Sequence, residues 1–233
     1  MSYVLPVAPP ASVPVQGDAN ARFAVHRIYC VGRNYAAHAR EMGGNPEREP
    51  PFFFCKPADA VLVAPAGETV SMAYPSATRD LHPEIERVVA IGRAGRDIAV
   101  ERSLDHVFGY AVGLDMTRRD LQGEAKKTGR PWETGKAFDR SAPIAPLRRA
   151  SDIGHPAHAA IWLEVDGSER QRSDIDQLIW SVPEVIANLS TLFELKPGDL
   201  IYTGTPEGVA RVDRGQTMVG GIEGIGELRV RVV

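Results

Sequence analysis

Two glutamates separated by one residue are the first feature of this sequence that could do chemistry. Glu84 and Glu86 lie in an alternating run that predicts a β-strand over His82–Gly92. Alternate side chains of a strand share a face, so both carboxylates should project together, beside the apolar Val88 and Ala90. Such carboxylates repel each other unless a cation compensates them, and oxygen ligands suit Mg²⁺ or Mn²⁺. The alternative is a strand edge whose glutamates point to water.

A third carboxylate ends the next apolar stretch. Val107–Leu114 is predicted to be a strand, and Asp115 follows it, just before a helix predicted over Thr117–Lys127. Thr117 and Asp120 are expected to cap the start of that helix, in a pattern similar to a capping box. Asp115 could cap that helix, for which an aspartate side chain is well suited. Together with the two glutamates it could instead complete a facial set of ligands on one metal ion, leaving positions open for water or substrate.

A histidine and a glutamate three residues apart could supply a general base. His38 and Glu41 share one face of a short helix predicted over Tyr35–Met42, with Asn34 as its N-cap. A histidine oriented by a carboxylate can take a proton from water, although the same pair could be a surface ion pair. The glycines that follow should end the helix, and residues 41–51 are a candidate lid.

Two further segments carry polar groups in suggestive surroundings. Lys136 stands in Gly135-Lys136-Ala137-Phe138, where a partly buried lysine could stabilise developing negative charge. It could equally be an ordinary solvated lysine. The loop Thr203–Gly208 offers hydroxyls and backbone N–H groups that suit a carboxylate, a pattern that many turns share.

The composition limits the classes of function. The 233 residues carry a net charge of −3 with scattered basic residues, which argues against nucleic acid and membrane as partners. No apolar run approaches the ~20 residues that cross a bilayer. The motifs of nucleotide, dinucleotide and serine-hydrolase sites are missing. We expect a cytoplasmic location, with Cys30 and Cys55 as buried, reduced thiols.

The elements that must position these residues are mostly short strands. A hairpin is predicted around Asp166-Gly167, and a capping box formed by Ser181 and Glu184 begins a helix over Val182–Phe193. The helices do not alternate regularly with strands, which argues against a doubly wound sheet or a TIM barrel. The pattern favours an α+β fold, predominantly β. We expect residues 1–26 to form an extended arm and residues 27–233 to form the catalytic domain.

Several of these segments together resemble the fumarylacetoacetate hydrolase family. Their order and spacing, from about Ile28 to the C-terminus, make the resemblance specific. The matching segments are Cys30-Val31-Gly32-Arg33-Asn34-Tyr35 with His38 and Glu41, Phe54-Cys55-Lys56-Pro57, His82-Pro83-Glu84-Ile85-Glu86, Leu114-Asp115-Met116-Thr117-Arg118-Arg119-Asp120 with Gln122, Gly135-Lys136-Ala137-Phe138-Asp139 and Thr203-Gly204-Thr205-Pro206.

The resemblance implies a fold and a set of site residues. The fold would be the mixed β-sandwich roll of the family's C-terminal domain, usually a homodimer. Mg²⁺ or Mn²⁺ would be bound by Glu84, Glu86 and Asp115. The implied catalytic residues are His38, Glu41 and Lys136. The residues implied to contact the substrate or its water are Arg33, Gln122 and Thr205.

The resemblance also implies an activity, since the segments are most similar to the short acylpyruvate hydrolases. The expected reaction is hydrolysis of a C–C bond in a 2,4-dioxo acid, with fumarylpyruvate giving fumarate and pyruvate in gentisate degradation. The same metal site could serve an oxaloacetate decarboxylase, or a hydratase or isomerase of 2-oxo-dienoates, and a non-catalytic binding protein is a further alternative. A distal carboxylate on the substrate would need a cation, for which the candidates are Arg33, Arg118 and Arg119.

Overall fold

The computed structural model describes residues 3–43 and 49–233. Residues 44–48 of the candidate lid, which include the second glycine expected to end the first helix, lie outside these ranges. Within them, the strands β1 to β17 are Ser12–Val15, Asp18–Ala24, Ile28–Gly32, Phe52–Lys56, Val61–Val63, Thr69–Met72, Leu81–His82, Ile85–Ile91, Val107–Leu114, Thr117–Arg118, Ala142–Ile144, Arg148–Arg149, Ala160–Val165, Ser168–Asp174, Leu200–Tyr202, Thr217–Ile222 and Gly226–Val232. The α-helices α1 to α5 are Ala36–Glu41, Arg119–Thr128, Glu133–Lys136, Ala150–Ile153 and Val182–Leu192. The predominance of strands confirms the predicted fold class.

Two sheets form the body of the molecule. Over the described ranges, the larger has eight strands in the order β4-β3-β15-β8-β9-β11-β5, with β12 also paired to β9, and the other runs β14-β13-β16-β17-β6. All seven residues of β8 are buried, because each face of this strand packs into a separate apolar cluster. Ile85 and Val89 belong to the cluster shared with the second sheet, whereas Val88 and Ala90 belong to the other. Glu86 is thus on the face predicted for it.

The strand predicted over His82–Gly92 is wrong at its start. Pro83 has no N–H to donate and interrupts the ladder, so β7 ends at His82 and β8 begins at Ile85. Glu84 lies in this break, where its carbonyl accepts a hydrogen bond of 2.9 Å from the backbone N–H of Asp115. At this break, the backbones of two predicted metal ligands are therefore hydrogen-bonded to each other.

Asn34 was predicted to cap α1 but does not do so. The N-cap position of α1 is Tyr35, which makes no capping hydrogen bond with its side chain. The buried amide of Asn34 instead donates to the carbonyls of Trp180, at 2.9 Å, and Thr203, at 2.8 Å. These contacts to distant segments satisfy an amide that would otherwise be buried without partners.

The helix predicted from Thr117 begins two residues later, at Arg119, and the predicted cap is wrong. Thr117 pairs with His82 in a short ladder. Asp120 accepts hydrogen bonds from the hydroxyl of Thr78, at 2.6 Å, and from the N–H of Arg79, at 3.0 Å. Both residues that were expected to cap the helix are therefore bound to other segments.

Several local predictions are confirmed. Asp166 and Gly167 adopt φ values of 50° and 75° in the hairpin between β13 and β14, as a tight two-residue turn requires. The capping box of Ser181 and Glu184 is present at the start of α5. None of the helices in the described ranges is long and apolar enough to span a membrane.

Two features of the chain differ from or add to what was expected. Cys30 is buried, but Cys55 is exposed, because alternation along the edge strand β4 turns Phe54 and Lys56 inward. The hairpin of β1 and β2 was not predicted. It is held to the body by hydrogen bonds such as Gln16 N–H to the carbonyl of Leu147, at 2.8 Å. The division of the chain at residue 26 stays a prediction.

Candidate active site

Glu84, Glu86 and Asp115 converge in the structure and are called the carboxylate cluster from here on. One oxygen of each lies within 4.8 Å of one oxygen of the others. The residues are 5%, 2% and 1% exposed, so the alternative of glutamates that point to water is wrong. Pairing of β8 with β9 produces this arrangement, because it sets Ile85 opposite Leu114 and so brings the start of one strand beside the end of the other.

Three cations contact two of the three carboxylates. Lys136 Nζ lies 2.8 Å from Glu84 Oε2 and 2.6 Å from Asp115 Oδ2. Lys56 Nζ lies 2.8 Å from Asp115 Oδ1, and Arg119 Nη2 lies 2.5 Å from Glu84 Oε1. Lys136 also donates to the hydroxyl of Thr117 at 2.7 Å. Lys136 is therefore buried beside the carboxylate cluster, and it is not a solvated lysine.

The electrostatic surroundings of the two glutamates are opposite. Burial alone would raise the pKa of Glu84, but the charges of Lys136 and Arg119 outweigh it and hold that pKa well below its usual value. Burial raises the pKa of Glu86 well above its usual value, and the negative charges of Asp115 and Glu84 raise it further. The one hydrogen bond described for the Glu86 carboxylate comes from the N–H of Gly204, at 2.7 Å.

This donor set fits a divalent metal ion. Glu86 forms no ion pair within the described ranges, so its charge is left for a further cation. Asp115 Oδ1 accepts no hydrogen bond although it is buried, since the nearby Lys56 ammonium makes an ion contact without hydrogen-bond geometry. Three carboxylate oxygens are the hard ligands that Mg²⁺ and Mn²⁺ prefer. The three contacting cations equal the three carboxylates in number, so a bound dication would give the site a net positive charge, which suits an anionic substrate.

His38 and Glu41 form the expected pair. His38 Nδ1 lies 3.0 Å from Glu41 Oε2, and Glu41 Oε1 accepts a hydrogen bond of 3.0 Å from the N–H of Gly208. His38 is buried and lines the same pocket as the carboxylate cluster. The contact through Nδ1 leaves Nε2 as the ring nitrogen available to water, an arrangement that a surface ion pair would not need.

One pocket collects eight of the nine predicted site residues, and Glu41 reaches it through His38. The lining includes the carboxylate cluster together with Arg33, His38, Gln122, Lys136 and Thr205. Gln122 Oε1 accepts from Arg119 Nη1 at 2.7 Å. The Thr205 hydroxyl accepts from the amide of Gln171 at 2.9 Å.

Several residues of this site were not predicted from the sequence. Lys56 lies in one of the segments that resemble the family. Its side chain points inward because it is two residues after Phe54 on the same face of β4. No pattern in the sequence indicates that Gln171 belongs to the site, because it reaches the loop at Thr205 only through a hairpin of the second sheet. Lys126 and Trp132 also line the pocket, although neither belongs to a matching segment.

The three arginines considered as partners of a distal substrate carboxylate have different surroundings in the structure. Arg119 is engaged by Glu84 and Gln122. Arg118 does not line the pocket, and its guanidinium stacks 4.4 Å from the centroid of the Phe138 ring. Arg33 lines the pocket.

The chain is similar to known proteins over most of its length. The model of the family described as fumarylacetoacetate (FAA) hydrolase C-terminal matches residues 27–233. The chain is 44% identical to a fumarylpyruvate hydrolase of a Ralstonia species over 184 residues, covering 79% of this chain and 93% of the relative. It is 40% identical to oxaloacetate tautomerase FAHD1 of Arabidopsis thaliana over 206 residues, covering 88% and 90%. The crystal structure of fumarylpyruvate hydrolase from Pseudomonas aeruginosa, in complex with Mn²⁺ and pyruvate, is 63% identical, with a TM-score of 0.98 and coverage of 100% and 99%.

Proposed function

Since the chain belongs to the fumarylacetoacetate hydrolase family, we propose that it is a metal-dependent hydrolase of acylpyruvates, with fumarylpyruvate as its substrate. The observation that carries the proposal is the convergence of the buried carboxylate cluster, the His38–Glu41 pair and Lys136 on one pocket. Similarity to two fumarylpyruvate hydrolases, one of them bound to Mn²⁺ and pyruvate, supports this choice of acyl group.

Glu84, Glu86 and Asp115 would hold Mg²⁺ or Mn²⁺. When bound, the cation supplies a Lewis acid for the carboxylate and 2-oxo group of the substrate and offsets the negative charge that develops during cleavage. Arg33, Gln122 and Thr205 would contact the substrate or its water from the pocket wall.

The protein groups then carry out the proton transfers. His38, oriented by Glu41, takes a proton from water, and the hydroxide adds to the C4 carbonyl. The C3–C4 bond breaks and its electron pair moves to C3, giving fumarate and the enolate of pyruvate. The proton held by His38 returns to C3. Lys136 contributes a fixed positive charge that stabilises the enolate while it forms.

We further propose a domain organisation, an oligomeric state and a cellular role. Residues 27–233 form the catalytic domain, the enzyme is a homodimer, and it acts in the cytoplasm during degradation of aromatic compounds.

The second candidate is an isomerase or decarboxylase of oxaloacetate, which the 40% identity to an oxaloacetate tautomerase favours. Neither tautomerisation nor decarboxylation needs a water molecule to attack the substrate. The buried His38, held by Glu41 beside the carboxylate cluster, is placed to activate water, so we favour hydrolysis.

The two candidates can be separated by one assay. The ultraviolet absorbance of enolised fumarylpyruvate, acetylpyruvate and oxaloacetate is followed with the purified chain in Mg²⁺ or in chelator. We expect metal-dependent loss of fumarylpyruvate, faster than that of the other substrates, with formation of fumarate and pyruvate. Turnover of oxaloacetate alone would overturn the proposal in favour of the second candidate.

A further inference from the structure

Lys126 lies on the same helix face as two residues of the site. Arg119, Gln122 and Lys126 follow a spacing of three and four residues along α2, which places them on one stripe, and all three line the pocket. The stripe begins at the carboxylate cluster, where Arg119 contacts Glu84. At 1.5 Å per residue, the backbone of Lys126 lies about 10 Å farther along the helix axis than that of Arg119. Lys126 is therefore at the end of the stripe away from the carboxylate cluster.

Aromatic rings connect the inner part of the pocket to this lysine. Lys136 Nζ lies 5.0 Å from the centroid of the Phe54 ring. The Phe54 and Trp132 rings are 5.7 Å apart, and Lys126 Nζ lies 5.0 Å from the centroid of Trp132. A flat, unsaturated acyl chain that starts at the carboxylate cluster would follow this wall and end at Lys126.

The charge around Lys126 is not matched by an anion. No carboxylate of the described ranges forms an ion pair with it, and it is half-buried. Burial lowers the pKa of Lys126 to about 8, and the positive charges of Arg119 and Arg33 act in the same direction. A ligand carboxylate placed here would relieve repulsion between cations as well as gain a charge-assisted hydrogen bond.

We propose that Lys126 binds the distal carboxylate of the substrate and makes the pocket selective for linear 2-oxo acids with a second acidic end. This inference rests on the proposed function, because it takes the 2-oxo acid end to lie at the carboxylate cluster. Arg119 is already engaged and Arg118 lies elsewhere, so Lys126 and Arg33 are the pocket cations left for this carboxylate. Arg33 also packs on an aromatic ring, 5.9 Å from the centroid of Phe52, which contacts Trp132. Lys126 is distinguished by its place on the helix stripe that begins at the carboxylate cluster.

A binding assay tests the role of Lys126 without requiring turnover of the substrate. Equilibrium dialysis in Mn²⁺ at pH 7 compares pyruvate with 2-oxoadipate, which adds a distal carboxylate to the same 2-oxo acid end. The variants are Lys126→Met and Lys126→Arg, with Lys127→Met as the matched control, because Lys127 is the exposed next residue of α2. We expect the wild type to prefer 2-oxoadipate, and Lys126→Met to lose about 10- to 100-fold of that preference with pyruvate binding unchanged.

Lys126→Arg should keep most of the preference, and Lys127→Met should keep all of it. A Lys126→Met variant that still prefers 2-oxoadipate as strongly as the wild type would overturn the assignment. So would a wild type with no preference for 2-oxoadipate. Failure of the proposed function shows separately, as a wild type that binds these acids but hydrolyses no acylpyruvate.

Discussion

At the scale of the residue, the site depends on carboxylates whose charges are compensated unequally. Glu84 and Asp115 share Lys136 and each contacts a further cation, whereas Glu86 is bound by one backbone N–H. A cluster in which one carboxylate stays uncompensated is arranged for a ligand that carries positive charge. Strand alternation predicted that Glu84 and Glu86 project together, and the structure brings both beside Asp115. Their role as metal ligands stays a prediction.

The role of His38 leads to the first prediction. His38→Ala should lower hydrolysis of fumarylpyruvate by about 10²- to 10⁴-fold, because the reaction loses its general base. Affinity for Mn²⁺ should stay within a small factor of the wild type, since His38 is not one of the three carboxylates. Steady-state kinetics and Mn²⁺ dialysis measure the two effects. The control for the rate is His158→Ala, an exposed histidine outside the pocket, and a His38→Ala variant as fast as this control would contradict the assignment.

At the scale of the element, β8 and β9 and the loop after β15 set the geometry of the cluster. Gly204 lies in that loop with φ +100°, and a Cβ added there would meet the Cβ of Asn34 at 2.7 Å. Its N–H is also the donor to Glu86. The loop thus needs a glycine both for its conformation and for its close approach to Asn34.

Gly204→Ala should therefore disturb metal binding as well as stability. The left-handed φ alone costs about 1–2 kcal/mol, and displacement of the loop should in addition weaken Mn²⁺ binding severalfold. Gly215→Ala is the matched control, since Gly215 has φ +90° with open space around its Cβ position. Thermal unfolding and Mn²⁺ dialysis separate the effects. Equal Mn²⁺ affinities in the two variants would show that the loop does not position Glu86.

Asp120 fastens the start of α2 to the segment at Thr78, and this contact should respond to pH. Burial raises the pKa of Asp120, but hydrogen bonds from Thr78 and Arg79 outweigh it, so the pKa is lowered from 3.8. A lowered carboxyl pKa stabilises the fold above the unfolded value and loses that effect as the pH falls below it.

We therefore expect Asp120→Asn to lower the free energy of unfolding by about 1 kcal/mol at pH 7, and by much less at pH 3. Urea unfolding at the two pH values measures this, with Asp139→Asn, at an exposed position, as the control. An equal loss at both pH values would mean that the charge of Asp120 is not involved.

The limits of sequence reasoning are clearest among the elements. Turn chemistry at Asp166 and the capping box at Ser181 depend on neighbours in sequence, and both were predicted correctly. Asn34 and Thr117 also have capping side chains, but partners far along the chain compete for them, and those partners are known only once the sheets are assembled. Gln171 reaches the site for the same reason, through the pairing of the second sheet.

At the scale of the whole molecule, a metal ion bound between the start of β8 and the end of β9 should stabilise the entire fold. These strands lie in the middle of the larger sheet, and β8 packs on both apolar clusters. A ligand that binds only the folded chain adds its binding free energy to that of folding. Occupancy of the site is therefore coupled to global unfolding.

Free Mn²⁺ at 100 times its dissociation constant should raise the free energy of unfolding by about 2.7 kcal/mol. For a chain of this size the melting temperature would rise by roughly 5–10 °C, as calorimetry can measure. Glu86→Gln should abolish the shift, whereas Glu223→Gln, at an exposed position, should keep it. A full shift in Glu86→Gln would place the metal elsewhere.

The most direct test of the central claim is anomalous diffraction from crystals of the chain soaked in Mn²⁺, recorded at the manganese absorption edge. We predict a dominant peak about 2.0–2.3 Å from a carboxylate oxygen of each of Glu84, Glu86 and Asp115. A dominant peak at other residues, or no peak in this pocket at saturating Mn²⁺, would contradict the metal site on which the account rests.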